Sequence, residues 1–412
     1  MRFSFIHAAD LHVDSPLAAL GAKDASVALR FAQAGRKAVT ALVDEAISSK
    51  AAFLIIAGDM FDGDWRDYST GLFMVRELSR LVRAKIPAFI IKGNHDAESI
   101  VSRNLRDPPG VTVFGGHKAE MHLLEDFRVA LHGRSFPKRE PPAGFVASYP
   151  KPQPGYLNIG ILHTALDGTR GDHAAYAPCT VQELAAFGYD YWALGHIHGR
   201  EIVSKAPWIV YPGNIQGRSV RETGAKGAMR VSVKDGRIAS VEPVILDAAR
   251  WAHERLDISG CASHAEMDAS VEACLARVHA GAQGRAVALR LTLHGSSALH
   301  SGLSARRDDI IEDIRARALH LADDFWVERL VIESSLPQAP VLWTDTLDIA
   351  ALLGQAATAP GFAASVAEIT ASLSEKLPRE LRDGFGADSA ALLAQARDLL
   401  LGRLNIDGAE RR

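Results

Sequence analysis

From residue 1 to about 245 the chain repeats one pattern: a short apolar run, polar punctuation, then often a stretch of helical periodicity. Phe3–Ala8, Phe53–Ala57, Ala88–Ile91, Leu157–Leu162 and Tyr191–Leu194 read as buried strands, being continuous rather than alternating. Between the first two, Ala25–Ser48 sets Val27, Phe31, Ala38, Leu42 and Ile47 broadly on one helical face. Thr70–Val82 predicts a second helix, and Phe127–His132 a further strand. Strand–helix–strand alternation implies crossover units feeding a largely parallel sheet. Met229–Val233 and Arg237–Val241 predict a hairpin that turns at Asp235-Gly236, a pair suited to positive φ.

After about 246 the texture changes. Arg255–Ser259, Ala286–Leu293 and Trp326–Glu333 predict strands, and Ala265–Ala280 and Asp308–Leu321 predict helices. Ser263 and Glu266 stand at capping-box spacing, and Met267, Val271, Cys274, Leu275 and Val278 form a buried stripe. Beyond Pro337 the chain reads as helical, interrupted by Pro360 and Pro378; Leu392, Leu393, Ala396, Leu399, Leu400 and Leu404 share one broad face. Such a stripe is more often packed internally than offered to a partner. The expected organisation is α/β over 1–245, a small α/β unit over 246–336 and a helical region over 337–412.

Composition narrows the class. A chain of 412 residues, 48% hydrophobic and 23% charged, belongs with globular proteins of two or three domains. No apolar run is long enough to span a membrane, and the N-terminus lacks a secretory pattern. Cys179, Cys261 and Cys274 show no paired spacing, which argues for a reducing compartment and a cytoplasmic address. The net charge of −3 means that any basic surface for nucleic acid is local or supplied by a partner. Residues 137–154 carry six prolines and three basic side chains and read as an exposed loop.

The candidate chemistry lies at the strand ends. Phe3–Ala8 leads to Asp10-Leu11-His12, and Phe53–Ala57 leads to Gly58-Asp59-Met60-Phe61-Asp62. Ala88–Ile91 leads to Gly93-Asn94-His95-Asp96, Leu157–Leu162 to His163, and Tyr191–Leu194 to Gly195-His196-Ile197-His198. Ligands of open α/β sheets gather outside the carboxyl ends of strands, so these clusters should converge. A lone Asp-x-His is weak, since a single histidine at a strand end is usually structural. Five ordered clusters are specific. Imidazole, carboxylate and one amide without cysteine suit Mn²⁺, Fe²⁺ or Zn²⁺. There are enough donors for two ions, with Asp59 able to bridge them, and such a pair activates water and stabilises charge at phosphorus.

These ordered motifs resemble the calcineurin-like metallophosphoesterases over about the first 240 residues. Finer likeness to SbcD-type DNA repair exonucleases, in their YhaO-like branch, rests on Phe5–Pro16, Gly188–Leu194 and Tyr211-Pro212-Gly213-Asn214. Arg218, Glu222, Gly224 and Gly227 continue it. Asp14 departs, standing where the longer SbcD-type proteins commonly have glycine.

The resemblance implies a sandwich of mixed β-sheets flanked by helices, a small α/β DNA-capping domain and a helical tail that engages a coiled-coil, SMC-like ATPase. It implies one metal on Asp10, His12, Asp59 and His198, and another on Asp59, Asn94, His163 and His196. His95 would stabilise the transition state or protonate the leaving oxygen. A homodimer, perhaps through Thr70–Val82, is a further implication.

Other residues read differently. His7 suits a buried supporting role better than metal ligation. Asp62 suits orienting ligands or substrate, or forming a turn. Arg134, Arg218 and Arg221 are candidate phosphate contacts, Arg134 the weakest because a surface arginine is the plainer reading. The expected activity is Mn²⁺-dependent cutting of DNA phosphodiesters from ends. Its rivals are a small-molecule phosphodiesterase or phosphatase, which the acidic charge favours, and a non-catalytic scaffold, which the full ligand set disfavours.

Overall fold

The computed structural model describes residues 1–15, 25–62, 68–98, 108–142, 144–166 and 176–337. In the tail it describes 354–356, 358–359, 361–376, 393 and 396. The leucine-rich helix expected over 392–404 lies almost wholly outside the described residues. The chain separates into two compact units, Met1–Ala252 with Ala282–Ala288, and His253–Gly281 with Leu289 onwards.

Two six-stranded mixed sheets make the first unit. One is formed by β1 (Arg2–Ala8), β2 (Leu54–Ala57), β3 (Ala88–Ile91), β4 (Val111–Val113), β11 (Gly227–Lys234) and β12 (Arg237–Ile245). The other is formed by β5 (Glu120–Leu124), β6 (Val129–Gly133), β7 (Leu157–His163), β8 (Tyr191–Gly195), β9 (Glu201–Lys205) and β10 (Trp208–Tyr211). Their orders are β12-β11-β1-β2-β3-β4 and β5-β6-β7-β8-β10-β9. β1 to β4 run parallel, and the β11–β12 hairpin adds antiparallel against β1. β6, β7, β8 and β10 also run parallel, edged by antiparallel β5 and β9. Crossovers therefore supply a parallel centre to each sheet, while hairpins make both sheets mixed instead of one largely parallel sheet.

The central strands lack alternation because both faces are covered. Phe5, Ile55, Phe89 and Ile91 meet Leu131, Ile159, Ile161 and Tyr191 between the sheets. On the outer face of the first sheet, Ile6, Leu54, Ile56 and Ile90 pack with α1 (Ala25–Ser48) and α2 (Tyr68–Arg83), through Ala38, Leu42, Met74 and Leu78. Across the second sheet, Trp192, Leu194 and Ile209 pack with Leu184 of α4 (Val181–Ala186) and with Phe136 and Phe145. α3 (Asn94–Glu98) is a single short turn of helix at the end of β3. Layering of helix, sheet, sheet and helix leaves the carboxyl ends of β1, β2, β3, β7 and β8 at one edge.

The second unit contains most of a three-stranded sheet, β13 (Ala249–Asp257), β14 (Ala286–Ser296) and β15 (Phe325–Ser335), in that order. It also holds α5 (His264–Ala282), α6 (His300–Ala305) and α7 (Arg307–Leu321). In α5, Met267, Val271, Cys274 and Leu275 are buried, as its stripe predicts. α8 (Phe362–Lys376) follows in the tail. Among the described residues no helix is long and apolar enough to cross a membrane.

Candidate metal centre

The loops that leave the strands are tied together by backbone first. Asp10 N–H donates to Gly58 O at 3.0 Å, His12 N–H to Asp59 O at 3.0 Å and Val13 N–H to Met60 O at 3.0 Å. Four candidate ligands sit at positive φ: Asp10 at 52°, His12 at 41°, Asp59 at 53° and His196 at 96°. Left-handed backbone at non-glycine residues costs energy and gathers at functional sites. Here it turns each side chain back over the strand ends.

Asp10, His12 and His198 bring potential ligand atoms within 4.8 Å of one another, and so do Asp59, His163 and His196. Asn94 joins the second group, its Oδ1 lying 3.0 Å from His163 Nε2. All seven are buried. Thus the sequence-predicted ligands converge.

The histidines are aimed by their other nitrogen. His163 Nδ1–H donates to Ala57 O at 2.9 Å, since a carbonyl can only accept. His12 Nδ1 meets Asp62 Oδ1 at 2.6 Å, and His198 Nδ1 meets Glu222 Oε1 at 2.7 Å. A proton on each Nδ1 leaves each Nε2 with its lone pair. His12 Nε2 and His198 Nε2 then face each other at 3.3 Å. His163 Nε2 faces Asn94 Oδ1 and, at 3.3 Å, Asp59 Oδ2. Lone pairs set against lone pairs repel unless a proton or a cation lies between them. The arrangement of carboxylate or carbonyl, then histidine, then an inward lone pair is that of metal-binding imidazoles.

Electrostatics agree. Burial pushes the Asp10 carboxyl up, against the pull of His198 and His163. Burial also opposes ionisation of Asp59, yet the charge and hydrogen bond of His163 hold its carboxyl far below the usual range. Burial disfavours the His163 cation, but Asp59 more than offsets it and the pKa rises to about 9. So a proton on His163 satisfies the crowded acceptors when nothing else does. A divalent cation in its place would serve them better, displacing that proton. The donor set fits metal ions of the Mn²⁺, Fe²⁺ or Zn²⁺ kind.

Around these ligands stand residues that the sequence pattern left without a role. Asp96 accepts Met60 N–H at 3.1 Å, Phe61 N–H at 2.9 Å and Gly93 N–H at 3.2 Å, stitching the β2 loop to the β3 loop. Burial, then the nearby Asp59 charge, raises its pKa to about 7. Glu222 orients His198 and accepts from Asn214 Nδ2 at 2.9 Å; its partner is distant in sequence, so no local signal marks it. Burial works against Glu222 ionising, yet His198 and Arg218 keep its carboxyl well below the ordinary range. Lys226 Nζ–H donates to His198 O at 3.0 Å.

His95 is the more open member: its backbone N–H donates to Asp59 Oδ1 at 3.0 Å, while its side chain is 40% exposed. Its Nδ1 lies 3.4 Å from Asp62 Oδ1, the oxygen that also holds His12. Asp62 thus orients ligands rather than merely making a turn. His7 is fully buried, with Nδ1 3.0 Å from Tyr191 Oη and Nε2 3.1 Å from Leu194 O, and burial lowers its pKa to about 3. Both its nitrogens are engaged within the sheets.

The three arginines part company. Arg218 lies at the site, 3.6 Å from Asp62 Oδ1 and 3.3 Å from Glu222 Oε1. Arg218 and Arg221 line a cleft of about 690 Å³ with Asp59, His95, His196 and His198. Arg134 is a correction. It is buried, its guanidinium donating to Gly116 O, His117 O and Ser148 Oγ over the Phe145 ring. With those donors spent, it braces the fold instead of meeting phosphate. A larger hollow of about 940 Å³ opens by Arg2, Phe3, Ile86 and Phe127, at the other ends of the strands. It holds none of the candidate ligands, so size alone does not locate this chemistry.

Residues 3–200 match the calcineurin-like phosphoesterase family, and residues 251–335 match the middle domain of metallophosphoesterase YhaO. The uncharacterized metallophosphoesterase YhaO of Bacillus subtilis is 32% identical over 298 residues, 71% of this chain and 72% of that protein. The DNA double-strand break repair protein Mre11 of Methanopyrus kandleri is 26% identical over 231 residues. That match spans 50% of this chain and about half, 48%, of the relative. A dimetal phosphatase from Danio rerio aligns over 60% of this chain and 98% of its own, at 11% identity and a TM-score of 0.35.

Proposed function

Because this chain belongs to the calcineurin-like metallophosphoesterases, in their YhaO-like family, we propose that it is a metal-dependent nuclease cutting phosphodiester bonds in DNA. The observation that carries the phosphoesterase chemistry is the meeting of inward-facing Nε2 lone pairs with Asp10, Asp59 and Asn94. Asp10, His12, Asp59 and His198 would hold one ion, and Asp59, Asn94, His163 and His196 the other; the pair, when bound, acidifies water and stabilises charge at phosphorus. The proposed physiological metal is Mn²⁺.

His95 stands beside this cluster with its ring edge-on to His12 at 5.0 Å between centroids. Asp62 supports a proton on the His95 imidazole from the Nδ1 side. An imidazolium there, carrying a second proton on Nε2, would donate it to the departing oxygen, a general-acid role. Arg218 and Arg221 line the same cleft, and arginine forks suit phosphate oxygens. The similarity to Mre11, and these basic side chains in an otherwise acidic chain, favour DNA over a small phosphodiester. A coiled-coil, SMC-like ATPase and a second copy of the chain are the proposed partners, in the cytoplasm.

The test is degradation of linear duplex DNA with Mn²⁺, with the Asp59→Ala variant as blank. Shortening by the wild type alone is expected, and a product ladder from one end would make it an exonuclease. Intact DNA alongside turnover of bis(p-nitrophenyl) phosphate would move the assignment to a small-molecule phosphodiesterase.

A further inference from the structure

The hollow at the amino ends of the strands combines an apolar floor with a cationic rim. Its volume of about 940 Å³ lies in the range of cavities that hold small organic ligands. β1 runs from Arg2, which lines it, to Ala8, a length of about 20 Å that separates it from the metal cluster. Phe3 and Phe127, both half-buried, meet in its wall with ring centroids 5.0 Å apart and planes inclined at 53°. Buried Ile86 adds to the same apolar surface.

Arg2, Lys50 and Lys85 line the hollow and are exposed. Lys50 and Lys85 follow the carboxyl ends of α1 and α2 at φ 52° and 60°. The helix ends there are closed by backbone: Ala51 N–H donates to Ala46 O at 2.9 Å, and Ile86 N–H to Leu81 O at 2.9 Å. Neither ammonium is needed to satisfy those carbonyls. Among the described residues the side chains of Arg2, Lys50 and Lys85 make no ion pair and no hydrogen bond. Two carboxylates also line the hollow; Glu125 accepts from Tyr156 Oη, and Asp126 has no side-chain partner. Three cations against two carboxylates, one of them engaged, leave the rim positive. The charges are also segregated. The cations come from the first sheet and its helices, and the carboxylates from the turn between β5 and β6 of the second sheet.

We infer that this hollow binds a nucleotide, its base against Phe3 and Phe127 and its phosphates on Arg2, Lys50 and Lys85. A planar base suits an aromatic wall, because every base offers a flat π face. Phosphate oxygens suit cations that have no acceptor of their own. Asp126 can only accept, so it suits an amino group of the base and repels phosphate from that end. A nucleotide keeps its negative charge at one end, as the hollow keeps its positive charge on one side. An acidic peptide spreads carboxylates along its length and would set some of them against Glu125 and Asp126. No candidate metal ligand lines the hollow, so this site is separate from the phosphodiesterase reading.

The experiment measures fluorescence anisotropy of mant-ADP with the full chain in EDTA, where no metal-dependent turnover intervenes. The wild type should bind it saturably. Lys50→Gln and Lys85→Gln should each raise Kd about tenfold with the melting temperature unchanged, as expected for one lost charge-assisted contact. Phe127→Leu keeps an apolar side chain but removes the ring, and should raise Kd about fivefold or more. Unlabelled ADP should displace the probe, and pyrophosphate about tenfold less well. Asp59→Ala, and Lys118→Gln at an exposed lysine outside the hollow, should bind as the wild type does.

No saturable binding by the wild type would overturn the inference, and so would a Kd that the two lysine variants leave unmoved. Binding lost in Asp59→Ala would put the nucleotide in the metal cleft instead. Displacement by pyrophosphate as readily as by ADP would mean that phosphate is recognised without the base. Displacement by a Glu-rich peptide but not by ADP would make the hollow a docking site for protein. Each of these last two results also overturns the nucleotide assignment.

Discussion

The two halves of the metal cluster are held by different means. On one side His12 and His198 are aimed by carboxylates from elsewhere in the chain, Asp62 and Glu222. On the other, His163 is aimed by the backbone carbonyl of Ala57, and the glycines of the β2 and β3 loops lie against it. The first half depends on side-chain bonds that one substitution can remove. In the second, His163 is positioned by backbone at the strand ends, so a change in those loops disturbs its aim. Arg218 reaches both orienting carboxylates of the first half.

Asp59 belongs to both halves in the proposed assignment, so its loss should erase the difference. Asp59→Ala should cut turnover of bis(p-nitrophenyl) phosphate at least about a thousandfold, the several kcal/mol that metal catalysis supplies. Circular dichroism should show the fold retained. A ligand that binds only the folded chain raises its melting temperature, so Mn²⁺ should stabilise the wild type and no longer stabilise this variant. Turnover surviving in Asp59→Ala would dismantle the site assignment.

The second half is best broken through its glycine. Gly58 has φ +96°, and an added Cβ would lie 2.4 Å from His163 Nδ1. Gly58→Ala therefore strains the backbone and pushes His163 from its carbonyl. Overpacking together with an unfavourable φ should cost about 2–4 kcal/mol in chemical denaturation. Metal analysis should show the second ion preferentially lost. A variant as stable as wild type and carrying both ions would mean that the loop is softer than its geometry implies.

Asp62→Asn and Glu222→Gln probe the first half with less damage to the fold. Each keeps the shape and weakens the acceptor on Nδ1, and loss of such support typically lowers metal affinity about 10–100-fold. Isothermal titration should place the weakening in one of two binding steps, with stability moved by no more than about 1 kcal/mol. Weakening of both steps equally would argue that the halves are not independent.

The same contrast explains what the sequence made legible. Strands β1, β2, β3, β7 and β8 are covered on both faces and therefore write continuous apolar runs. Ligands follow those runs within a few residues, so motif and strand end are read together. By contrast β5 and β9 are edge strands with exposed residues on both faces, and β4 spans three residues, so none leaves a periodic trace. His163 announced itself by ending an apolar run, but its partner Ala57 O is a backbone atom, invisible to residue identity. Glu222 meets His198 only because the chain passes through β9 and β10 before returning. Asp14 shows a local departure with a local cause. It sits at φ +60°, where glycine is comfortable, and its carboxylate accepts from Arg36 Nε at 2.8 Å and Thr70 Oγ1 at 2.6 Å.

Arg134 gives the smallest expected effect on catalysis, and it separates scaffold from site. Sequence alone offered it as a phosphate contact, because it closely follows a strand in a chain whose strand ends carry ligands. Its donors instead satisfy two backbone carbonyls and Ser148, with the guanidinium 4.4 Å from the Phe145 ring centroid. Arg134→Met should keep the packing on Phe145 while leaving those acceptors unpaired. The expected cost is about 1–3 kcal/mol of stability, read by urea denaturation. Turnover and metal affinity should stay within about twofold of wild type, since neither half of the cluster touches Arg134. A selective rise in KM for DNA at unchanged stability would put Arg134 back in the cleft, and the division between bracing and chemistry would have to be redrawn.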